Sequence, residues 1–466
     1  MKNIKFIYLK ITLLFGLIFT MTVSCERDLS EDVEFGKFGT SGEVFIDGFS
    51  GGLSYDPFGD SKLDAFSVDS EVKYSGSASM RFDVPSFGDP LGAYAGATFR
   101  DASGRNLTGY DALTFWVKAS QAAILNEVGF GNDFEGNKYL TTLNNVPLTT
   151  YWQKIIIPIP YASKLHQEKG MFWYAEGPEN GFGYTFWIDD LKFEKLGTIG
   201  QPKPAIVNGE DLIQDTYTGV NLKVTGLTQT FNLGSGLNQT VSAAPSYFDF
   251  ASSDPSLASV NEFGDIEIIN DGAPVITASL AGVEAAGSLT VNSLGDFQLA
   301  PVPTRAPDNV TSIFSDSYTN SPVDFFNGFW EPYQTTLSAD FQVEGNNILN
   351  YTNFNFVGNQ FSNPTIDASQ KSNVHIDMFI PSEVPSNMDF LITIVDFGID
   401  QAQGGGDDTR EQIFFDKSIW VSNTWITLEF PITLSSRNSI GQIIYENINF
   451  SSLGSFYLDN IYFYSE

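Results

Sequence analysis

From residue 40 onward, short runs of Val, Ile, Phe, Tyr and Thr alternate with polar residues and are cut by Pro, Gly and Asn/Asp clusters. Apolar positions recurring every second residue mark strands with one buried face, whereas a helix repeats them every three to four residues. No long stretch after Cys25 keeps the helical period. The pattern predicts an all-β chain of many short strands, packed as sandwiches. Proline-bearing junctions at Gly197 to Pro204 and Ala300 to Pro307 divide it. Three tandem β-sandwiches are expected, over 41–198, 201–294 and 307–466, in keeping with the chain's length.

The outer segments read as diverged copies of one unit. Phe45-Ile46-Asp47-Gly48-Phe49 matches Phe314-Ser315-Asp316-Ser317-Tyr318. Val128-Gly129-Phe130 matches Val395-Asp396-Phe397, and Trp152 with Ile155 to Pro160 matches Trp425 with Leu428 to Pro431. Phe186-Trp187-Ile188-Asp189-Asp190-Leu191 matches Phe456-Tyr457-Leu458-Asp459-Asn460-Ile461. Asp47 to Asp189 is 142 positions and Asp316 to Asp459 is 143, so order and span agree. In a jelly roll the first and last strands often lie close together. Asp47 with Asp189, and Asp316 with Asp459, would then repel unless a cation sat between them. Ca²⁺, which gathers carboxylate and carbonyl oxygens, is the expected ion. The alternative is that these aspartates are turn or strand-end residues.

Segment 201–294 differs. Ser252-Ser253-Asp254-Pro255-Ser256-Leu257-Ala258-Ser259-Val260, Val275-Ile276-Thr277-Ala278 and Ala286-Gly287-Ser288-Leu289-Thr290-Val291 resemble a bacterial immunoglobulin-like domain of group 2. That resemblance implies a spacer. The segment has no tryptophan and only scattered charges.

The N-terminus carries Lys2, Lys5 and Lys10, an apolar stretch from Ile11 to Thr20, and Thr22-Val23-Ser24-Cys25. The stretch is too short and too lysine-flanked to span a bilayer and reads as a secretory signal. The residues up to Cys25 resemble a lipobox. Residues 1–25 are expected to be a lipoprotein signal peptide with Cys25 lipidated, and 26–40 a tether. Glu26, Arg27, Asp28, Glu31 and Asp32 resemble the surface-export signal of Bacteroidetes lipoproteins, which implies an outer-membrane anchor facing the cell exterior.

Composition narrows the chemistry. The formal net charge is −32, although charged residues are only 17% of the chain, so the imbalance comes from scarce Lys and Arg. Such a surface disfavours nucleic acid and polyanionic glycans and leaves neutral polymers open. One cysteine and two distant histidines, His166 and His375, speak against a Cys/His zinc site. Neither a phosphate-binding loop of the Walker type nor a Gly-x-Ser-x-Gly elbow is present.

In the outer segments, Gly109 to Lys118, Ala175 to Gly181, Asn346 to Asn353, Pro364 to Ser369 and Leu458 to Phe463 resemble sandwich modules of Bacteroidetes glycan lipoproteins. The fold implied is like that of carbohydrate-binding modules of families 4 and 11. The third segment is similar to modules appended to family 16 glycoside hydrolases. The resemblance implies a surface glycan-binding protein, without catalysis, beside a TonB-dependent uptake complex. The ligand implied is a neutral β-glucan, with β-1,3-glucan (laminarin) first.

Aromatic faces and hydroxyl-bonding side chains suit such a ligand. Trp330 and Tyr333, in the loop from Asn327 to Tyr333, are candidate stacking rings. Asp407, Asp408 and Arg410, after three glycines, are candidate partners for sugar hydroxyls beside Trp330; the plainer reading is a solvated loop. In the first segment, alternation along Met171 to Glu176 is expected to expose Trp173 or Tyr174. Trp152 and Trp425 read as core packing, and Trp116 as outward-facing. Two other classes remain: an adhesive protein with protein partners, and a glycosidase. The latter needs two placed carboxylates, and no Glu-x-Asp-x-x-Glu motif occurs.

Overall fold

The structure is a computed structural model that describes residues 38–466, apart from Glu331 and Glu344. Cys25, the signal segment and most of the tether lie outside the described residues. The described chain holds strands and short 3-10 turns, with no α-helix among the described residues, as the period-two pattern requires.

The first segment contributes β1 (Glu43–Phe45), β2 (Leu53–Pro57), β3 (Phe66–Asp69), β4 (Ser79–Asp83), β5 (Ala95–Arg105), β6 (Ala112–Ala119), β7 (Ala123–Phe130), β8 (Thr141–Leu148), β9 (Gln153–Pro158), β10 (Glu168–Glu176) and β11 (Thr185–Glu194). The middle segment contributes β12 (Gly200–Ala205), β13 (Asp211–Thr218), β14 (Asn221–Lys223), β15 (Thr228–Asn232), β16 (Asn238–Ala243), β17 (Phe248–Ser252), β18 (Ala258–Val260), β19 (Asp265–Ile268), β20 (Val275–Leu280), β21 (Val283–Glu284) and β22 (Ser288–Asp296). The third segment contributes β23 (Val310–Phe314), β24 (Leu337–Val343), β25 (Asn346–Thr352), β26 (Phe356–Gln360), β27 (Asn373–Phe379), β28 (Asp389–Asp396), β29 (Thr409–Asp416), β30 (Trp425–Pro431), β31 (Ile440–Asn447) and β32 (Ser455–Tyr464).

The repeat is visible in the sheets. In the first segment one sheet runs β3-β4-β11-β6-β9, with β1 on β11; in the third the counterpart runs β24-β25-β32-β27-β30, with β23 on β32. First and last strands therefore pair in both copies. Register breaks inside β11 and β32 beside Asp189 and Asp459. Each break holds a left-handed residue, Asp190 (φ 49°) and Asn460 (φ 49°). Asp and Asn tolerate that conformation because their short side chains bond locally.

The opposite sheet of the third sandwich is β26-β31-β28-β29. In the first sandwich the equivalent layer, β2-β5-β10-β7-β8, does not stop at β8. It continues through β16 and β15 to β12, eight strands in all. Ser242 and Ala243 of β16 pair with Thr142 and Thr141 of β8. The junction at Gly197 to Pro204 thus becomes an edge strand of the sheet, where prolines cost no ladder bond. The rest of the middle segment forms a sheet of β13-β22-β20-β17, with β21 on β20, and a small sheet of β14-β19-β18.

Packing follows alternation. On β5 and β10, Phe99, Phe172 and Tyr174 point into the first core with Phe82 and Phe186. On β28 and β31, Phe390, Ile392, Ile394, Ile443 and Tyr445 fill the third core.

Candidate functional site

Each outer segment presents the face of one sheet away from its core, and these two faces set aromatic rings beside polar side chains. In the first sandwich the face carries Ser54, Asp56, Thr98, Arg100 and Trp173, the register partners lying on one side of the sheet. Trp173 lies over Gly129, where an added Cβ would stand 2.9 Å from its Nε1. Phe58 packs on Trp173 edge-on at 6.4 Å, and Phe134 on Phe58 at 5.8 Å. Phe134 is 53% exposed and holds the Arg100 guanidinium over its ring at 5.1 Å. Arg100 Nε donates to Asp56 at 2.9 Å and its NH1 to the Asp133 carbonyl at 3.0 Å. Burial raises the Asp56 carboxyl, but the hydrogen bonds from Arg100 and Ser54 outweigh it and hold the pKa below its usual range.

The third sandwich builds its face from different positions. Phe356, Gly358 and Gln360 of β26 share it with Glu446, Ile444 and Gln442 of β31. Across β28 the rows end on Phe414, Gln412 and Arg410 of β29. Trp330 reaches in from its loop and lies on Gly358, stacked against Phe356 at 6.1 Å and 25°. At the far edge Phe414 is 61% exposed. Thr393 donates to Glu446, and Gln442 to Gln360, so the polar groups between the rings are oriented.

The expected site residues fall into three sets. Trp330 and Arg410 stand on one face, at its opposite edges, three strand spacings or about 14 Å apart. Tyr333, 78% exposed, flanks Trp330 in the same loop, its carbonyl accepting from Asn355. Asp407 and Asp408 bond their own loop: Asp407 accepts from the Ile399 amide at 2.7 Å and Asp408 Oδ2 from the Gly404 amide at 2.9 Å, while Asp408 Oδ1 is buried without a partner. These bonds pin the glycine-rich turn.

Trp173 and Tyr174 need correction. Tyr174 is wholly buried, on the core side, with its hydroxyl 3.4 Å from that of Tyr55. Trp173 is on the outer face but only 5% exposed, because Phe58 and its neighbours cover it. Alternation identified the face correctly for Trp173 and missed the rings above it. Phe58 follows β2, Phe134 lies in the β7–β8 loop and Arg100 stands on β5, with no local signal beyond alternation. Phe414 had such a signal, since every second residue of β29 is outward.

The aspartate pairs are engaged by amides. Asp47 accepts from the Ser77 and Ala78 amides, and Asp189 from those of Tyr74 and Ser75. One loop thus donates four backbone amides to the two carboxylates of the first sandwich. In the third, Asp316 accepts from the Asn347 amide and side chain. Asp459 is pushed up to about 7, by burial and by nearby Asp316 and Asp377, against the Asn460 amide. No group of three or more His, Cys, Asp or Glu side chains arranged to hold a metal occurs among the described residues.

Of the other tryptophans, Trp116 faces out and stacks on Tyr74 at 3.9 Å and 13°. Trp152 meets the same Tyr74 edge-on. Trp425 packs against Phe297 and Phe379 and donates to the Gln298 carbonyl, so its burial is at a seam with the middle segment.

Both outer segments are β-sandwich modules with a ring-bearing sheet face. Residues 46–195 match the family model described as carbohydrate binding domain 30. Among solved structures, the family 30 carbohydrate-binding module of the cellulosomal cellulase Cel9D-Cel44B of Clostridium thermocellum is 19% identical, over 35% of this chain and 95% of that one, with a TM-score of 0.22. The family 11 carbohydrate-binding module of Clostridium thermocellum, solved with a β-1,3-1,4-mixed-linked tetrasaccharide, is 22% identical, over 29% and 85%, with a TM-score of 0.21. The CBM22-1-CBM22-2 tandem domain of Paenibacillus barcinonensis Xyn10C is 12% identical, over 93% and 100%, with a TM-score of 0.22. No curated protein matches the chain.

Proposed function

We propose that this chain is a non-catalytic polysaccharide-binding protein whose two outer sandwiches hold a neutral glycan on their outer sheet faces. The observation that carries this reading is the first sandwich: a segment matching a carbohydrate-binding family whose outer face sets the exposed Phe134, packed on Phe58, beside an Asp56–Arg100 pair. Flat rings meet the C–H faces of sugars, and the oriented carboxylate and guanidinium meet their hydroxyls. The net charge of −32 supports a neutral over an acidic polymer.

The finer reading follows the sequence resemblance. The ligand is a β-glucan, β-1,3-glucan first. The chain is held at the outer membrane through lipidated Cys25, facing outward, and hands glycan to a TonB-dependent transporter. A structural calcium in each outer sandwich, between Asp47 and Asp189 and between Asp316 and Asp459, belongs to the same reading; chelation should then lower the melting temperature.

Affinity electrophoresis of the chain lacking its first 25 residues, in gels with laminarin, mixed-linkage β-glucan, xylan, mannan or alginate, tests the ligand. Retardation by a neutral glucan is expected. Retardation in none of the gels overturns the reading and favours a protein partner. Sugar release from any of these polymers would instead mark an enzyme. Cys25→Ala should move the protein from the membrane to the soluble fraction.

A further inference from the structure

The outer face of the first sandwich has two neighbouring rows of residues, and they differ in access. One runs Asp56–Thr98–Trp173–Gly129–Thr142, directly opposed across β2, β5, β10, β7 and β8. Its members from Thr98 onward are buried. The loop after β7 reaches over it, since Thr98 donates to the Asn132 carbonyl at 2.7 Å and Arg100 to that of Asp133 at 3.0 Å. The next row, two residues along each strand, runs Gly96–Ala175–Glu127–Asn144. Opposed residues of antiparallel strands project on the same side. Ala175 is half-buried, and Glu127 and Asn144 are exposed, so this row is open to solvent.

The open row has a wall, a floor and a polar end. The wall is aromatic: a Cβ at Gly96 would stand 2.5 Å from Tyr94 Cε2 and 3.1 Å from Phe58 Cδ2, so both rings lie on that glycine. Both are half-buried and keep part of their surface in solvent. Tyr94 is held by its hydroxyl, which donates to the Gly59 carbonyl at 2.9 Å. The floor is Ala175, whose single methyl leaves room above the sheet. The polar end is Glu127 with Asn144.

Glu127 reaches the face through a break in alternation. Leu125 and Val128 are both buried, so Asn126 and Glu127 face solvent in succession. Asn126 is engaged: its amide donates to Glu176, and its side chain accepts from the Gly177 amide at 3.1 Å. Nearby carboxylates are engaged too, Asp56 by Arg100 and Glu179 by the Ile124 amide. The Glu127 carboxylate has no hydrogen bond or ion pair with any described residue. It stands free beside the apolar floor, its Cβ about 5 Å from that of its opposed partner Ala175.

We propose that one sugar of a neutral glycan sits on Ala175 against Phe58 and Tyr94, with Glu127 accepting from two of its hydroxyls, and that Glu127 selects neutral over anionic sugars at this seat. A carboxylate accepts from two hydroxyls at once, and such charge-assisted bonds are the strong ones. A uronate in the same seat would set a second carboxylate against the first, and like charges at contact repel. Phe58, which also packs on Phe134, joins this seat to the Asp56–Arg100 edge. The proposal rests on the reading that the first sandwich's outer face binds glycan.

Calorimetry in a Trp330→Ala background reads the first face apart from the third. The probes are a short oligosaccharide of the glucan that retards the protein and the same oligosaccharide oxidised to uronates at C6. Both are measured at one ionic strength, because salt screens the contrast between them. Glu127→Gln should weaken the neutral probe at least fivefold and narrow the preference for neutral over uronate. Ala175→Leu fills the floor from the solvent side and should weaken the neutral probe at least tenfold. Both variants should melt with the parent, since neither side chain is in the core. A preference unchanged in Glu127→Gln overturns the selective role. Neutral affinity unchanged in both variants overturns the seat; if Phe134→Ala then weakens it, the first-sandwich reading stands. A parent that binds no glycan overturns both.

Discussion

In each outer sandwich a tryptophan lies on a glycine, and that contact decides how much can be tested with one substitution. Trp330 rests on Gly358 because only a residue without Cβ lets the indole reach the sheet. Trp330→Ala is expected to lower third-sandwich glycan affinity tenfold or more while the near-ultraviolet circular dichroism of the core is kept. Unchanged affinity would remove Trp330 from the site. Gly358→Ala drives a methyl into the same ring, so it should displace Trp330, weaken binding to a similar degree and cost about 1–3 kcal/mol of stability by overpacking; urea titration beside calorimetry reads both. Trp330 was legible because it sits among Gly and Pro in a loop, where side chains are free for ligands. Trp173 was legible as a face residue but not as a covered one, since its cover comes from Phe58, distant in sequence. That Asp407 and Asp408 also bond their own turn was not legible, although acceptor side chains beside glycines do so readily.

At the scale of the strand, β10 stores an electrostatic liability that the sequence does not display. Glu168 and Glu176 mark its two ends, and both are buried. Burial pushes each up to about 7; the Gly170 amide opposes this at Glu168, and the Asn126 amide and Tyr184 hydroxyl oppose it at Glu176. The folded state therefore binds protons more tightly than the unfolded chain, whose carboxyls titrate near 4.5. Stability is greatest below that value and falls as pH rises toward 7. Each group accounts for at most about 3 kcal/mol of the loss. Glu194, held at about 2 by Lys154, Thr114 and Lys192 despite its partial burial, acts only at lower pH and in the opposite sense. Melting temperature should fall between pH 5 and pH 8, and Glu176→Gln should flatten part of that slope. A profile that rises over this range, or a variant that keeps the full slope, would contradict the assignment. What the sequence did display is the repeat: Asp189-Asp190 and Asp459-Asn460 mark equivalent bulges, and the paired first and last strands follow from it. Burial of Glu168 and Glu176 depends on strands that come together only in the fold.

Across the whole molecule, the three expected sandwiches are joined by packing rather than strung on linkers. The β8–β16 ladder joins the first to the middle segment. On the other side Phe297, just past β22, is buried among Tyr217, Phe341, Phe379, Trp425 and Tyr457, with ring centroids 4.9–6.1 Å from its own. Neither seam was legible, because the junction prolines and glycines look the same whether they end a domain or lead into an edge strand. The seams have a consequence for binding: two faces held at a fixed spacing engage one polymer with a higher effective concentration than two faces on a flexible tether of poor reach. Phe297→Ala removes the central ring of the second seam, and burial of this kind is worth about 3–5 kcal/mol. The variant should show a larger radius of gyration by small-angle X-ray scattering and a separate, lower-temperature transition for the third segment in calorimetry. Its affinity for polymer should drop while each face keeps its affinity for a short oligosaccharide. An unchanged scattering profile with one cooperative transition would mean that the seam does not hold the third sandwich, and the gain on polymer would then have to arise within a single face.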